Sequence, residues 1–189
     1  MTRDYGQNWT RIDNGIPTGQ LTRVIREDTF RSGMLFVGSE RGIFISFDYG
    51  NTWQNINMNL PVVPVHDIYI KHDNLIIATH GRSFWILDDL TPLREFTEAQ
   101  KVQLMTPRSA YRFLHGSVSE RWGGPGINYA VRSGIYAAHV EVETNHKKTR
   151  KFIDAGSNPI SGAEIFYYLP ESIDEETKVA LTFMENDGK

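Results

Sequence analysis

An all-β chain built from repeated four-stranded units is predicted by three observations. Apolar residues fall in short runs, mostly alternating with polar ones and bounded by turn residues. One turn motif occurs twice, at Thr2–Trp9 and again at Ser46–Trp53. The copies stand 44 residues apart, counted from Asp4 to Asp48, an interval that accommodates four short strands and their connections.

Both copies read [Ser/Thr]-x-Asp-x-Gly-x-x-Trp, and the shared residue types have physical reasons. A short carboxylate in a hairpin turn, Asp4 or Asp48, accepts bonds from nearby backbone N–H groups. Gly6 and Gly50 supply the positive φ that a tight hairpin needs. Trp9 and Trp53 return along the next strand and cover the turn with apolar area. A weaker third copy follows, since Val37–Ile45 aligns with Ala78–Ile86 and sets Asp89 opposite Asp48. That copy lacks the glycine and the tryptophan, so a degenerate turn is expected.

Strands are expected at Leu21–Arg26, Met34–Gly38, Ile43–Phe47 and Thr52–Ile56. The next unit repeats them at Val65–Lys71, Leu75–Thr79 and Phe84–Leu87, with Tyr111–Leu114 a candidate for a displaced fourth strand. Thr91-Pro92-Leu93-Arg94 reads as a helix start, Thr91 as N-cap and Pro92 at N1, running through Gln100 or beyond. Residues 1–114 thus read as about two four-stranded β-propeller blades. Residues 115–160 read as a linker: Trp122–Gly126 is a strong breaker, and Ile135–Val142 alternates well enough for one of its one or two strands. The basic run Asn145–Lys151 reads as a solvated turn in preference to a phosphate-binding patch. In residues 161–189, Ala163–Leu169 and Lys178–Glu185 form a hairpin across the acidic turn Glu171–Glu176, and such a hairpin needs partners.

The repeated turns, with Leu60–Ile68 and Ala78–Asp89, resemble the BNR/Asp-box propeller proteins. They are most similar to the large bacterial sortilin/VPS10-like members labelled glycosyl hydrolases. The resemblance covers residues 1–115 and extends weakly to Ala155–Pro159 and Ala163–Leu169, which look like the opening of a β-sandwich placed after the propeller. It implies a structural role for Asp4, Gly6, Trp9, Asp48, Gly50 and Trp53. The family's propellers have many more blades than this chain holds, so a larger, exported parent protein is the expectation. Open blade edges then favour self-association.

In such a meander, successive connections alternate between two ends. The aspartate turns lie at one end. Ser39–Gly42, Thr79–Arg82 and Pro61–Asp67 lie at the other, where propellers of this class place ligands. Glu40 and Asp67 are the candidate carboxylates, and Arg41, His66, His80 and Arg82 the candidate ligand-face residues. Each also has a structural reading, as a turn, loop or repeated contact. Glycoside cleavage requires two carboxyl groups roughly 5–10 Å apart across a cleft, and only Glu40 and Asp67 fall on the expected side. Asp88-Asp89 forms a carboxylate pair, but Asp89 aligns with a turn-holding aspartate.

No phosphate loop, metal-ligand spacing or nucleophile motif occurs, so no metal or cofactor is expected. A net charge of -3 gives no electrostatic case for nucleic acid. No window approaches a membrane span, the N-terminus is not a signal peptide, and the absence of cysteine removes thiol chemistry. The leading expectation is a non-catalytic segment that binds a carbohydrate or protein ligand or serves assembly. The alternative is a fragment of a sialidase-like glycoside hydrolase whose catalytic carboxylates lie mostly in other blades.

Overall fold

The computed structural model describes residues 1–97, 102–110, 126–132, 136–142, 148–152, 162–170 and 178–184. Two compact units divide the chain, one of residues 1–108 with 165–189, the other of residues 109–164. The protein is all-β. Its sheets are antiparallel, and the only helix among the described residues is five residues long.

In the first unit, β1 (Thr22–Glu27), β2 (Leu35–Ser39), β3 (Gly42–Ser46) and β4 (Gln54–Asn55) pair in sequence order. A second meander joins β5 (Val65–Lys71), β6 (Asn74–Thr79) and β7 (Phe84–Leu87). These strands lie within two residues of where hydrophobic alternation and turn chemistry put them.

The two sheets repeat one another in register. Val24, Gly38 and Ile43 form one cross-strand row, and Asp67, Ala78 and Phe84 form its counterpart. The next row, Arg26–Phe36–Ile45, corresponds to Tyr69–Ile76–Ile86. The first strand of each sheet carries an irregularity at the same place, between Thr22 and Val24 and between Val65 and Asp67. Side chains follow suit: Ser39 Oγ donates to Gly42 O at 2.9 Å, and Thr79 Oγ1 donates to Ser83 O at 2.7 Å. The next backbone N–H of each, Glu40 and His80, donates to the segment entering the first strand, at Leu21 O and Pro64 O.

These bonds pair Ser39 with Thr79, whereas the ungapped sequence alignment pairs it with His80. The second turn is one residue longer, His80-Gly81-Arg82 against Glu40-Arg41, so the alignment holds only from Gly42 and Ser83 onward.

The sheets pack face to face. Phe36, Ile43 and Ile45 meet Val65, Ile68 and Ile77 in a buried core that Leu60 and Leu90 also join. Each fully buried large apolar side chain contributes about 1.5–3 kcal/mol, so this face outweighs any surface ion pair. On the other face of the first sheet, Val37, Phe44 and Trp53 pack with Ile16.

After β7 the chain turns into α1 (Thr91–Glu95). Leu90, not Thr91, is the N-cap residue, one position earlier than expected. Asp89 Oδ1 accepts from Thr91 N at 2.9 Å and from Thr91 Oγ1 at 2.7 Å, so the third aspartate holds a helix start in place of a hairpin. The candidate strand Tyr111–Leu114 and the helix extension through Glu98–Gln100 lie outside the described residues.

Helix α1 presents Arg94 to two turns distant in sequence. Its guanidinium binds both carboxylate oxygens of fully buried Asp28, at 2.9–3.1 Å, and Asp73 at 2.5 Å. It also lies 4.4 Å from the Phe30 ring centroid. Burial pushes the Asp28 carboxyl up, but the Arg94 bonds and the Arg31 and Phe30 backbone N–H groups outweigh it and hold the group below its ordinary range.

The hairpin expected from 163–169 and 178–185 is not formed in that pairing. Residues 178–184 lie outside any strand, and β12 (Tyr167–Tyr168) pairs with β8 (Gln103–Leu104) of the first unit. Tyr168 meets Phe96 edge-on at 5.4 Å, an aromatic contact that the isolated hairpin lacks.

In the second unit, β9 (Gly126–Arg132), β10 (Tyr136–Val142) and β11 (Lys148–Phe152) form one sheet in the order β11-β10-β9. This is a strand more than the linker reading expects. Lys148–Lys151 of the basic run belongs to β11, so that part is strand and not turn. Among the described residues no helix is long and apolar enough to cross a membrane.

Removing Arg94 leaves Asp28 buried without its cation. Arg94→Met is expected to cost about 3–5 kcal/mol in urea unfolding, and adding Asp28→Leu to it should recover part of that loss. Because Asp28 is depressed in the folded state, its contribution is complete above the unfolded carboxylate pKa. It is lost as pH falls through the folded value, so acid should destabilise the wild type more than Asp28→Asn.

Candidate functional site

Antiparallel pairing gives the first unit two distinct ends. At one lie the aspartate turns and the Asp28–Met34 loop, joined where Tyr49 N donates to Gly33 O at 3.0 Å. At the other lie Glu40-Arg41, His80–Arg82 and the segment entering β5. There Asn57 Oδ1 accepts from Ile43 N at 2.8 Å, and Asn57 Nδ2 donates to Arg41 O at 3.1 Å.

The second end holds all six sequence candidates, in three arrangements. Glu40 is ion-paired with Arg23, and Asp67 with Arg26 at 2.7 Å. Both arginines come from β1 and were not among the candidates; the signal was charge on the strand flanking each carboxylate. His66, at the irregularity in β5, stacks on His80 with ring centroids 5.1 Å apart and planes 25° apart. Arg41 and Arg82 are both exposed, and the contact at each is made by its backbone carbonyl, which accepts from Asn57 Nδ2 or Trp85 Nε1. The arginine alignment therefore reflects turn geometry.

The aspartate turns are built alike. Thr2 Oγ1 donates to Asp4 Oδ1 and Ser46 Oγ to Asp48 Oδ1, both at 2.8 Å. The same hydroxyls accept from Gly6 N and Gly50 N, again at 2.8 Å. Asp4 accepts from Asn8 N at 2.9 Å and Asp48 from Thr52 N at 2.8 Å. Two consecutive residues take positive φ in each turn, Tyr5 (56°) and Gly6 (89°), then Tyr49 (60°) and Gly50 (84°). That φ pattern belongs to type I′ hairpin turns, and it explains why the second position is glycine.

Asn8, through its backbone and its amide, and Thr2 draw the Asp4 carboxyl from 3.8 to about 2. For Asp48, burial pushes upward but the bonds from Thr52 and Ser46 prevail and lower it. Carboxylates held ionised by donors on every side are turn locks, not proton donors.

The tryptophans separate the copies. Trp53 is 5% exposed, its Nε1 donating to Ile12 O at 2.7 Å, while Trp9 is 73% exposed and bonds only back to Gly6 O, at 3.1 Å. Trp9 still lies over its turn, its ring 3.9 Å from where a Cβ on Gly6 would stand, but unlike Trp53 it is left open on its other side.

Chemically, the loop end offers satisfied carboxylates, stacked imidazoles and exposed guanidinium groups. Two concavities open at the aspartate-turn end, one of about 360 Å³ beside Asp4 and Asn8 and one of about 320 Å³ beside Arg31 and Asp48. A third, of about 60 Å³, is lined by Ile43, Leu60, Ile77 and Trp85 and by no ionisable side chain. Among the described residues no three His, Asp or Glu side chains are arranged to hold a metal ion.

Asp48→Ala removes the acceptor of the part-buried Ser46 hydroxyl beside a buried tryptophan and should cost about 0.5–1.5 kcal/mol. Asp4→Ala, beside an exposed one, should shift the thermal midpoint much less; equal shifts would contradict the stated role of Trp53. No protein-family profile, curated protein or solved structure matches this chain.

Proposed function

We propose that the two sheets are successive blades of a β-propeller of the BNR/Asp-box type, and that the chain is a non-catalytic segment for ligand binding or assembly. The observation that carries this reading is the matched register of the two sheets, irregularity for irregularity. The hydroxyl–carboxylate–glycine turn, built before β1 and again between β3 and β4 at 44-residue spacing, supports it.

In this reading the loop end faces the ligand. The exposed Arg41 and Arg82 and the stacked His66–His80 pair offer hydrogen-bond donors and flat rings to a polar ligand. The glycoside hydrolase alternative asks Glu40 and Asp67 to work across a cleft. Their ion pairs with Arg23 and Arg26 argue for a structural use of both.

The test is an assay of the purified chain against aryl glycosides and oligosaccharides. No turnover is expected. Hydrolysis that disappears in Glu40→Gln or Asp67→Asn would overturn the non-catalytic reading.

A further inference from the structure

The irregularity at the start of each sheet brings the same two positions together. In the first sheet, Arg23 is the extra residue between the pairings of Thr22 with Ser39 and Val24 with Gly38. It meets Glu40, the residue after Ser39, as an ion pair. In the second sheet, the extra residue between the pairings of Val65 with Thr79 and Asp67 with Ala78 is His66, and the residue after Thr79 is His80. Backbone bonds tie both junctions alike, Glu40 N donating to Leu21 O and His80 N to Pro64 O. One place in the scaffold therefore holds opposite charges in one sheet and two imidazoles in the other.

We propose that His66 and His80 together bind one divalent transition-metal ion of the zinc, nickel and copper group, with water at its remaining positions. A neutral imidazole keeps one nitrogen lone pair as an acceptor, and imidazole is a ligand that these ions favour. The separation of the rings fits a shared ion. Two imidazoles on one tetrahedral zinc, with Zn–N bonds of about 2.0–2.1 Å, have their centres roughly 5 Å apart. The His66 and His80 centroids stand 5.1 Å apart.

That separation is the quantity the backbone sets. The Cβ–Cγ bond of histidine points almost at the ring centre, so turning the ring about it swings the nitrogens and leaves the centre in place. This torsion is broad, and both histidines are exposed, so each ring has room to turn a nitrogen toward the ion. Exposure also lets water complete the coordination without burying charge. Asp67, next to His66, is committed to Arg26, which leaves the two imidazoles as the protein ligands. Sequence spacing conceals such a site, because its ligands come from the edge of one strand and the turn beyond another.

The proposal uses the register of the two sheets and nothing of the ligand-binding role, so the glycoside assay and the test below fail independently. Zinc chloride titrated into the whole chain should shift the ring-proton resonances of His66 and His80 together, along one binding curve, and calorimetry should give the same curve. Magnesium chloride should shift neither, since magnesium prefers oxygen ligands. His66→Gln and His80→Gln should each remove the zinc response of the histidine that remains, with far-UV circular dichroism unchanged. The double variant His66→Arg, His80→Glu places the first sheet's pair in the second; it should fold like wild type and lose this zinc curve. Rings that do not respond to zinc, or that respond along separate curves, would overturn the proposal. So would a single-histidine variant whose remaining ring responds as in wild type.

Discussion

Gly38 leaves room for Val65 to lie directly on the backbone of β2. A Cβ at that position would stand 2.7 Å from Val65 Cγ1 and 3.0 Å from the Val65 carbonyl oxygen, closer than packed atoms tolerate. The sheets can meet closely there only because the middle strand of the first one lacks a side chain at the contact. From that approach follow the burial of Phe36, Ile43 and Ile45, the seating of β5 beside β1, and the placement of the loops that flank both strands. The Asp28–Arg94–Asp73 cluster then closes the opposite end, tying α1 to the turns of both sheets. Apolar area supplies the energy of the contact, and the buried ion pair fixes which turn meets which.

The charged groups divide by burial into different uses. Arg23–Glu40 and Arg26–Asp67 are exposed or half-exposed pairs worth about 0–1 kcal/mol each, enough to orient side chains and too little to define a fold. Asp4 and Asp48 act locally, each binding donors within four residues. Among the described residues only Asp28 and Arg94 commit charge to the interior, and they join segments 66 residues apart.

That distance explains what the sequence could not reveal. The strands were legible because alternation and turn residues are local signals, and the aspartate turn was legible because its residues lie within eight positions. The turn's serine or threonine hydroxyl was visible in the motif, but its double role, donating to the carboxylate and accepting from the glycine N–H, needed coordinates. The extra residue in His80-Gly81-Arg82 escaped because an ungapped alignment cannot locate an insertion that hydrogen-bond register locates at once. Arg94, Asp73 and Asp28 carry no periodic signature, and the pairing of β12 with β8 links segments far apart in the chain that share no motif. Strand counting drew attention to the turns between β2 and β3 and between β6 and β7, while the arginines that neutralise Glu40 and Asp67 became apparent only in three dimensions.

The account turns on the close approach of the two sheets over Gly38, where a Cβ would stand 2.7 Å from both Val24 Cγ1 and Val65 Cγ1. Urea unfolding of Gly38→Val beside Ala78→Val, its register equivalent in the second sheet, tests this most directly. Gly38→Val is expected to cost about 1–3 kcal/mol by overpacking the contact, and Ala78→Val much less. A Gly38→Val chain as stable as wild type, or equal losses at the two positions, would contradict it.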